Sequence, residues 1–263
     1  MTVLATRRTG DAGKLPLLLL HAMPLDSTMW DLVRDRLAPI DVLTVDAPGF
    51  GGSPSGAELQ ERYGRPEPSL EVFVEAIRES LDELEVERVV LGGMSMGGTV
   101  AATFAQTYPE RVAGLALMDT NIGVDDADHA AIRRESIALC EEGKGYESVK
   151  EWSNFLVSPA SPESVRQSLD RRFRLFNSAS LAWLQRALLD RDSAIGALTA
   201  IDGPILLERG ADDATCSFAL LQQWKELARR AKIIEIPGAG HFVADEQPEV
   251  LAKALADFYR QAA

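Results

Sequence analysis

The sequence predicts an α/β protein whose mostly parallel sheet carries helices on both faces. Short apolar runs alternate with helix-like segments along most of the 263 residues. Most of these runs are continuous rather than alternating, which is typical of strands covered on both faces. The alternation breaks once, from about Ile122 to Ser193, and this interval predicts a helical insertion between two strands.

The strand predictions are the short apolar runs that separate the helix-like segments. They are Thr2–Arg7, which is the weakest, and Leu15–Leu20, Asp41–Val45, Arg88–Leu91, Leu115–Met118, Pro204–Glu208 and Lys232–Ile236. Because strands and helices alternate in chain order, parallel pairing is expected.

Helical patterns fill the intervals between these strands and the whole of the insertion. In the core they are Met29–Leu37, Leu70–Leu84, Thr99–Tyr108, Phe218–Ala231 and Pro248–Tyr259. In the insertion they are Asp126–Glu142, Tyr146–Leu156, Pro162–Phe176 and Leu181–Leu189. The stretch Gly49–Ser69, rich in Gly and Pro, is predicted to be an irregular and mobile loop.

The chain is therefore expected to divide into a core of residues 1–121 and 194–263 and a helical cap, or lid, of residues 122–193. An insertion at this point of the alternation would sit over the carboxyl ends of the strands. Open α/β sheets bind their ligands there.

Composition narrows the class of protein. With 46% hydrophobic and 25% charged residues the chain reads as an ordinary globular protein. The net charge of -13 argues against nucleic acid and membrane as partners, since both favour basic surfaces. Cys140 and Cys216 form neither a disulfide framework nor a zinc site. We expect a cytoplasmic monomer or homodimer acting on a small molecule, although a secreted protein without disulfides would have the same composition.

The pentapeptide Gly93-Met94-Ser95-Met96-Gly97 carries the main chemical signal. It follows the apolar run Val89–Leu91 and precedes the helical pattern Thr99–Tyr108. A G-x-S-x-G pattern alone is common. Between a strand and a helix it predicts a sharp turn that exposes the serine hydroxyl, with glycines where side chains would collide. The sequence therefore predicts a serine hydrolase with Ser95 as nucleophile.

A serine hydroxyl needs a base, usually a histidine held in one tautomer by a carboxylate. The chain has three histidines. His241 follows the last predicted strand and precedes the last helix, at the sheet edge where Ser95 must lie, so it is the predicted base. His129 lies in the insertion. His21 ends an early strand and is expected to brace its loop without taking part in chemistry.

Three aspartates compete for the role of the acid. Asp212 and Asp213 follow the strand Pro204–Glu208, and Asp119 follows Leu115–Met118. Their spacing leaves the choice open, because each is also compatible with a cap or a turn.

The predicted oxyanion hole uses two backbone amides. One is that of Met96, at the start of a helix, and the other is that of Met23, in the loop after an early strand.

Five blocks in the right order resemble the α/β-hydrolase superfamily over nearly the whole chain, and most closely its group of bacterial esterases, enol-lactonases and cofactor-free haloperoxidases. They are His21-Ala22-Met23-Pro24 with Trp30, Asp46–Ser53, Gly92–Gly98, Gly210–Asp213 and Gly238–His241.

The resemblance implies an α/β-hydrolase fold with a helical cap and a Ser95–Asp213–His241 catalytic triad. Asp119 falls at an alternative acid position used by some relatives. Ala22 stands where a glycine is common, and its methyl group is tolerated if φ stays negative. Ser95, rather than an aspartate, disfavours haloalkane dehalogenase chemistry. The absence of a tryptophan after Ser95 disfavours proline iminopeptidases.

The function expected from the sequence is hydrolysis of a carboxylic ester (EC 3.1.1) of a small to medium apolar substrate, without metal or organic cofactor. The alternatives are an enol-lactone or C–C bond hydrolase of aromatic catabolism and a non-catalytic binding module. The insertion is expected to supply the pocket through some of its large apolar residues, while most of them pack onto the sheet. They are Trp152, Phe155, Phe173, Phe176 and Trp183. The cluster Arg171-Arg172-Arg174 could bind a substrate carboxylate, but a solvated helix face is favoured.

Overall fold

The computed structural model of the chain describes residues 2–13, 15–228 and 230–263. Within them, seven strands form one sheet in the order β1-β3-β2-β4-β5-β6-β7. The strands are β1 (Thr6–Thr9), β2 (Leu17–Leu20), β3 (Val42–Val45), β4 (Val89–Met94), β5 (Val112–Met118), β6 (Ile205–Gly210) and β7 (Ala231–Ile236). Only β1 is antiparallel to its neighbour. The predicted α/β class with a mostly parallel sheet is confirmed.

Parallel register brings the carboxyl ends of the central strands to one edge of the sheet. Leu20 pairs with Gly93, Met94 with Met118, and Met118 with Glu208. Because each strand runs into its loop at this edge, the residues that follow β2, β4, β5 and β6 become neighbours.

Helices cover the sheet and fill the interval between β5 and β6. The α-helices of the core are α1 (Asp31–Arg34), α2 (Gly56–Tyr63), α3 (Leu70–Glu83) and α4 (Met96–Thr107), and then α9 (Ala197–Ala200), α10 (Phe218–Leu227), α11 (Val243–Glu246) and α12 (Pro248–Ala262). Between β5 and β6 lie α5 (Ala127–Glu141), α6 (Trp152–Phe155), α7 (Glu163–Arg172) and α8 (Ser178–Leu189). Short 3-10 helices span Ser27–Trp30, Pro109–Arg111 and Gly145–Ser148.

The prediction of an irregular loop over Gly49–Ser69 is wrong, because this stretch contains α2. A capping box begins that helix: the Ser55 side chain accepts from the backbone of Glu58, and the Glu58 carboxylate accepts from the Ser55 amide at 2.8 Å. Gly64 ends it in the left-handed conformation, with φ of 63°. The flanking Gly and Pro residues indicate a loop, but the capping residues at both ends of α2 specify a helix.

The predicted helix Tyr146–Leu156 is also interrupted. The structure forms a 3-10 turn over Gly145–Ser148 and then the single turn α6. The Ser148 hydroxyl donates to the Gly145 carbonyl oxygen at 2.8 Å and accepts from the Ser136 hydroxyl at 3.0 Å. A side chain that bonds its own backbone in this way competes with helix propagation.

All the regular elements between β5 and β6 are helices. The structure describes every residue from 119 to 204, and none of them lies in a strand. The two ends of this segment meet where the Ala194 amide donates to the Ile122 carbonyl oxygen at 2.8 Å. The division of the chain at residues 122 and 193 stays a prediction. In the described part of the chain, no helix has both the length and the apolar character that spanning a membrane requires.

Gly56 provides a test of how α2 packs against α8. A Cβ at Gly56 would overlap the Trp183 indole ring, which is buried and donates from Nε1 to Gln60 at 2.6 Å. We expect Gly56→Ala to destabilise the protein by about 1–3 kcal/mol and to lower its Tm in a thermal melt. The control is Glu61→Ala, at an exposed position of the same helix. A Gly56→Ala variant as stable as the wild type would contradict this packing.

Candidate active site

The turn between β4 and α4 holds Ser95 in a strained conformation. Its φ of 54° and ψ of −119° are unusual for a residue with a side chain, which typically costs on the order of 1–3 kcal/mol. Hydrogen bonds hold the turn in place: the Ser95 amide donates to Met118 at 2.8 Å, and the Thr120 hydroxyl donates to the Ser95 carbonyl at 2.6 Å. Both partners come from the end of β5, so the neighbouring strand fixes the turn.

Gly93 and Gly97 are required by close approach of backbone to backbone. A Cβ on Gly93 would overlap the carbonyl group of Gly97, and a Cβ on Gly97 would overlap the carbonyl oxygens of Leu20 and His21. These contacts involve backbone atoms, so a side chain could be accommodated only by moving a strand or the helix.

His241 lies between Ser95 and Asp213. Its Nε2 is 2.8 Å from the Ser95 Oγ, and its Nδ1 is 3.0 Å from the Asp213 Oδ2. An ionised carboxylate only accepts, so Nδ1 carries the proton and Nε2 is free to accept from the serine hydroxyl. The structure thus brings the three residues together in the order that proton transfer from Ser95 needs.

Thr215 joins the hydrogen-bonded group of Ser95, His241 and Asp213, and it was not predicted from the sequence. Its amide and hydroxyl both donate to Asp213 Oδ1 at 2.8 Å, and the hydroxyl oxygen is 3.0 Å from His241 Nδ1. The signal was present as an Asp-x-Thr turn, in which an aspartate accepts from the backbone two residues on.

Neither of the other two aspartates has a hydrogen bond to His241 among the described residues. Asp212 accepts from the Ser158 hydroxyl at 2.5 Å. Asp119 is buried, has a φ of 43°, and accepts from the Gly210 amide through Oδ1 at 2.8 Å. Ligand atoms of Asp119, Asp213 and His241 lie within 4.8 Å of one another, a spacing compatible with a metal ion. Both nitrogens of His241 are already engaged in hydrogen bonds, so an acid–base group describes this cluster better.

The surroundings shift the pKa values of Asp213 and Asp119 in opposite directions. Burial would raise the pKa of Asp213, but the charge of His241 and its hydrogen bonds lower it well below the usual range. Burial and the nearby Asp213 and Glu208 carboxylates raise the pKa of Asp119. A neutral Asp119 can donate a hydrogen bond to Asp213, and this bond helps to keep the pKa of Asp213 low.

Glu208 lies on β6, fully buried, and neither of its carboxyl oxygens has a hydrogen-bond partner among the described residues. Burial and the Asp213 charge raise the pKa of Glu208 to about 8. This shift favours the neutral form of Glu208, whereas the low pKa of Asp213 keeps that carboxylate ionised.

Glu246 ties the loop of His241 to the segment between β5 and β6. Its carboxylate accepts from the amides of Gly240, at 3.0 Å, and Phe242, at 3.1 Å. It also accepts from the Ser158 amide at 2.8 Å and the Ser161 hydroxyl at 2.7 Å. The His241 amide donates to Leu156 at 2.7 Å. Nothing in the sequence distinguished Glu246 from other acidic residues of a helix start.

Met23 and Met96, whose amides were predicted to form the oxyanion hole, both line the cavity that contains Ser95. Met96 is the first residue of α4, where a backbone N–H has no partner inside the helix. Ala22 is not among the described residues with positive φ, so its methyl group causes no strain. The oxyanion role stays a prediction.

His21 braces its loop, as expected. Its Nε2 accepts from the Ala47 amide at 2.8 Å, and its Nδ1 donates to the Ala22 carbonyl at 3.0 Å. Burial lowers the pKa of His21, which favours the neutral form that this bonding requires. His129 caps the start of α5 with Asp126 and contributes to the cavity wall.

One cavity of about 250 Å³ contains Ser95 and His241. Much of its wall comes from the segment between β5 and β6. These residues include Ile132, Arg133, Trp152, Phe155, Gln185 and Leu188. Ile132 and Phe155 are also 58% and 60% exposed, so the cavity has an apolar rim.

The large apolar residues predicted for the pocket divide into two sets. Trp152 and Phe155 line the cavity, whereas Phe173, Phe176 and Trp183 pack elsewhere.

The cluster Arg171-Arg172-Arg174 does not contribute to the cavity wall that the structure describes. Arg172 pairs with Asp245 at 2.6 Å and Arg174 with Asp170 at 3.1 Å. The expectation of a solvated helix face with ion pairs, rather than a carboxylate-binding site, describes Arg174. The arginines that do line the cavity, Arg133 and Arg191, carried no signal in the sequence.

Glu208 gives this site a measurable dependence on pH. Because its pKa is raised on folding, Glu208 ionises in the unfolded chain at a lower pH than in the folded protein. The folded state therefore loses stability as the pH rises from about 4.5 towards 8. We expect Glu208→Gln, which cannot ionise, to gain stability relative to the wild type over that window. Thermal melts at pH 5 and pH 8 measure the difference, and Glu235→Gln on β7 is a half-exposed control. A difference in Tm independent of pH would argue against a neutral Glu208.

Comparison with known proteins agrees with this architecture. A model of the alpha/beta hydrolase family matches residues 17–254. The structure of a thermophilic esterase from Thermogutta terrifontis, with malate bound, superposes with a TM-score of 0.88 at 28% identity, covering 98% of this chain and 93% of that one.

Curated relatives are also hydrolases or related enzymes. A putative 2-succinyl-6-hydroxy-2,4-cyclohexadiene-1-carboxylate synthase of Bacillus subtilis is 28% identical, over 91% of this chain and 88% of its own length. The 2-hydroxy-6-oxononadienedioate/2-hydroxy-6-oxononatrienedioate hydrolase of Cupriavidus pinatubonensis is 31% identical, over 77% and 72%. The chain belongs to the alpha/beta hydrolase family.

Proposed function

We propose that this protein is a serine hydrolase that cleaves a carboxylic ester of a small to medium substrate through an acyl-enzyme. The observation that carries the proposal is the continuous chain from Ser95 Oγ to His241 Nε2, 2.8 Å, and from His241 Nδ1 to Asp213, 3.0 Å. The strained turn presents this hydroxyl to the cavity.

In this mechanism Ser95 attacks the carbonyl carbon of the ester while His241 accepts its proton through Nε2. Asp213 holds the imidazole in the required tautomer and stabilises its cation. The low pKa of Asp213 keeps this carboxylate ionised, and the donors on Thr215 fix its orientation. His241 then protonates the leaving group, and a water molecule repeats the sequence to release the acid.

The negative charge on the tetrahedral intermediate would be held by the amides of Met23 and Met96. The positive end of the α4 dipole supports an anion at Met96. The proposal needs no metal or organic cofactor, since nucleophile, base and oxyanion donors all come from the chain. We further propose that the enzyme is a cytoplasmic monomer or homodimer and that its substrate is a small molecule.

Hydrolysis of a C–C bond or an enol-lactone is the second candidate. The observation that favours it is the 31% identity to a relative named as a hydrolase of 2-hydroxy-6-oxononadienedioate. Rates on p-nitrophenyl esters of increasing chain length, on enol-lactones and on dienone-type substrates would separate these activities.

The role of Ser95 is tested by Ser95→Ala. We expect kcat on p-nitrophenyl butyrate to fall by a factor of about 10⁴ or more, because the nucleophile is lost while the cavity stays intact. The control is Ser69→Ala, at a serine outside the cavity wall described here.

A fluorophosphonate should label the wild type stoichiometrically and leave Ser95→Ala unlabelled. Near-full esterase activity in Ser95→Ala would refute the mechanism. A wild type that is neither labelled nor active would favour the non-catalytic binding module.

A further inference from the structure

The cavity that contains Ser95 also holds a cationic group that the proposed chemistry does not use. Arg133 on α5, Gln185 on α8, and Asp125 and Arg191, which flank the helical segment, all contribute to its wall. We call these four residues the Arg133 cluster. They lie on the part of the wall supplied by the segment between β5 and β6.

Arg191 is almost completely buried within the fold. Its Nε donates to Gly123 at 3.0 Å, its Nη1 to Leu188 at 2.7 Å, and its Nη2 to Asp125 at 2.7 Å. Its side chain is 2% exposed. Arg191 therefore holds Asp125 in place, and its burial leaves it far less accessible to a ligand than Arg133, whose side chain is 18% exposed.

Arg133 is only partly used. Its Nε donates to Asp125 Oδ2 at 2.5 Å, its Nη1 to Gln185 at 2.7 Å, and its Nη2 to Asp125 Oδ1 at a long 3.4 Å. A guanidinium has two hydrogens on each Nη. Within the described residues each Nη makes one such bond, so one N–H on each remains for a ligand. The side chain is 18% exposed, at the cavity.

The charges of the cluster do not cancel. Burial would raise the pKa of Asp125, but hydrogen bonds from Arg133 and Arg191 lower it, so one carboxylate faces two guanidinium groups. Of the other titratable groups in the wall, Asp119 has a raised pKa and is disfavoured as an anion. His129 is held by Asp126, and His241 by Asp213. This part of the cavity wall is therefore cationic, although the protein as a whole has a net charge of -13.

Burial lowers the pKa of Arg133, while Asp125 opposes this. A buried cation with one shared carboxylate gains from a second anion, because the interaction is strong where water is largely excluded. A carboxylate presents two oxygens to the two free Nη hydrogens, which suits the planar fork of arginine.

We propose that the Arg133 cluster binds a carboxylate that the substrate carries apart from its scissile ester. This rests on the proposed function and narrows its substrate class from apolar esters to esters of small anionic molecules with an apolar body. Met23, Trp152, Phe155 and Leu188 line the same cavity and suit that body.

Isosteric substrate pairs test the proposal on the wild-type enzyme. We use 3- and 4-acetoxybenzoate against the corresponding acetoxybenzamides, which place the carboxylate in the alcohol part. Monoethyl glutarate against ethyl 4-carbamoylbutanoate places it in the acyl part. Each amide matches its partner in shape but lacks the charge. In at least one pair, kcat/KM should favour the anion by about tenfold or more, as expected for charge-assisted hydrogen bonds. Hydrolysis of every pair without this preference overturns the carboxylate site and leaves the esterase proposal standing.

Arg133→Gln tests the residue itself, with Arg134→Gln as the matched control at the next, exposed position of α5. The ratio of kcat/KM for anion over amide should fall at least about tenfold in Arg133→Gln. In Arg134→Gln it should stay within about twofold of the wild-type ratio. An unchanged ratio in a folded Arg133→Gln overturns the proposal, as does an equal fall in both variants. Arg191 still pairs with Asp125 in this variant, which limits the damage to folding, and a thermal melt checks it.

Calorimetry on Ser95→Ala separates this proposal from the esterase proposal. The inactive variant should bind an anionic ester at least about tenfold more tightly than its amide partner. Preferential binding without turnover by the wild type would refute the esterase and keep the carboxylate site. Turnover by the wild type without preferential binding of the anionic ester would refute the carboxylate site and keep the esterase proposal.

Discussion

The backbone of the turn after β4 lies directly against the backbone at the end of β2, and no side chain fits between them. Gly97 touches the carbonyls of Leu20 and His21, and Gly93 touches Gly97 itself. This contact sets the direction in which α4 leaves the sheet and leaves Ser95 in its strained conformation. The cost of that conformation is offset by the surrounding sheet, whose β5 end supplies hydrogen bonds to the turn.

A second constraint orients the histidine. The His241 loop packs Phe242 into the core, and hydrogen bonds to the buried carboxylate of Glu246 and to the Leu156 carbonyl hold its backbone. Since Glu246 also accepts from Ser158 and Ser161, the same charge fixes the start of the segment after α6. The wall of the cavity and the base at its floor are therefore parts of one hydrogen-bonded unit.

The sequence predicted the parallel sheet and the pair of Ser95 and His241, because these depend on patterns that short stretches of chain carry. Continuous apolar runs mark buried strands, and glycines mark close backbone contacts. The choice between Asp212 and Asp213 came from resemblance, since adjacent side chains differ only in direction. Glu246 and Arg133 act through partners far along the chain, Ser158 for Glu246 and Gln185 for Arg133. A local sequence pattern cannot reveal a partner that only the folded chain brings near. The helix α2 was missed for a different reason: the glycines that flank it indicated a loop more strongly than its capping residues indicated a helix.

Asp125 has a consequence beyond ligand binding. It accepts from Arg133 early in α5 and from Arg191 after α8, so one carboxylate fastens the beginning of the helical segment to its end. Together with the hydrogen bond from the Ala194 amide to the Ile122 carbonyl oxygen, the Asp125 ion pairs hold the first and last residues of the segment close together at the sheet edge. A segment attached through neighbouring ends disturbs its host little when its length changes. The length of the segment can therefore change with little effect on the sheet, as long as the contacts of Leu156, Ser158 and Ser161 that hold the His241 loop are kept.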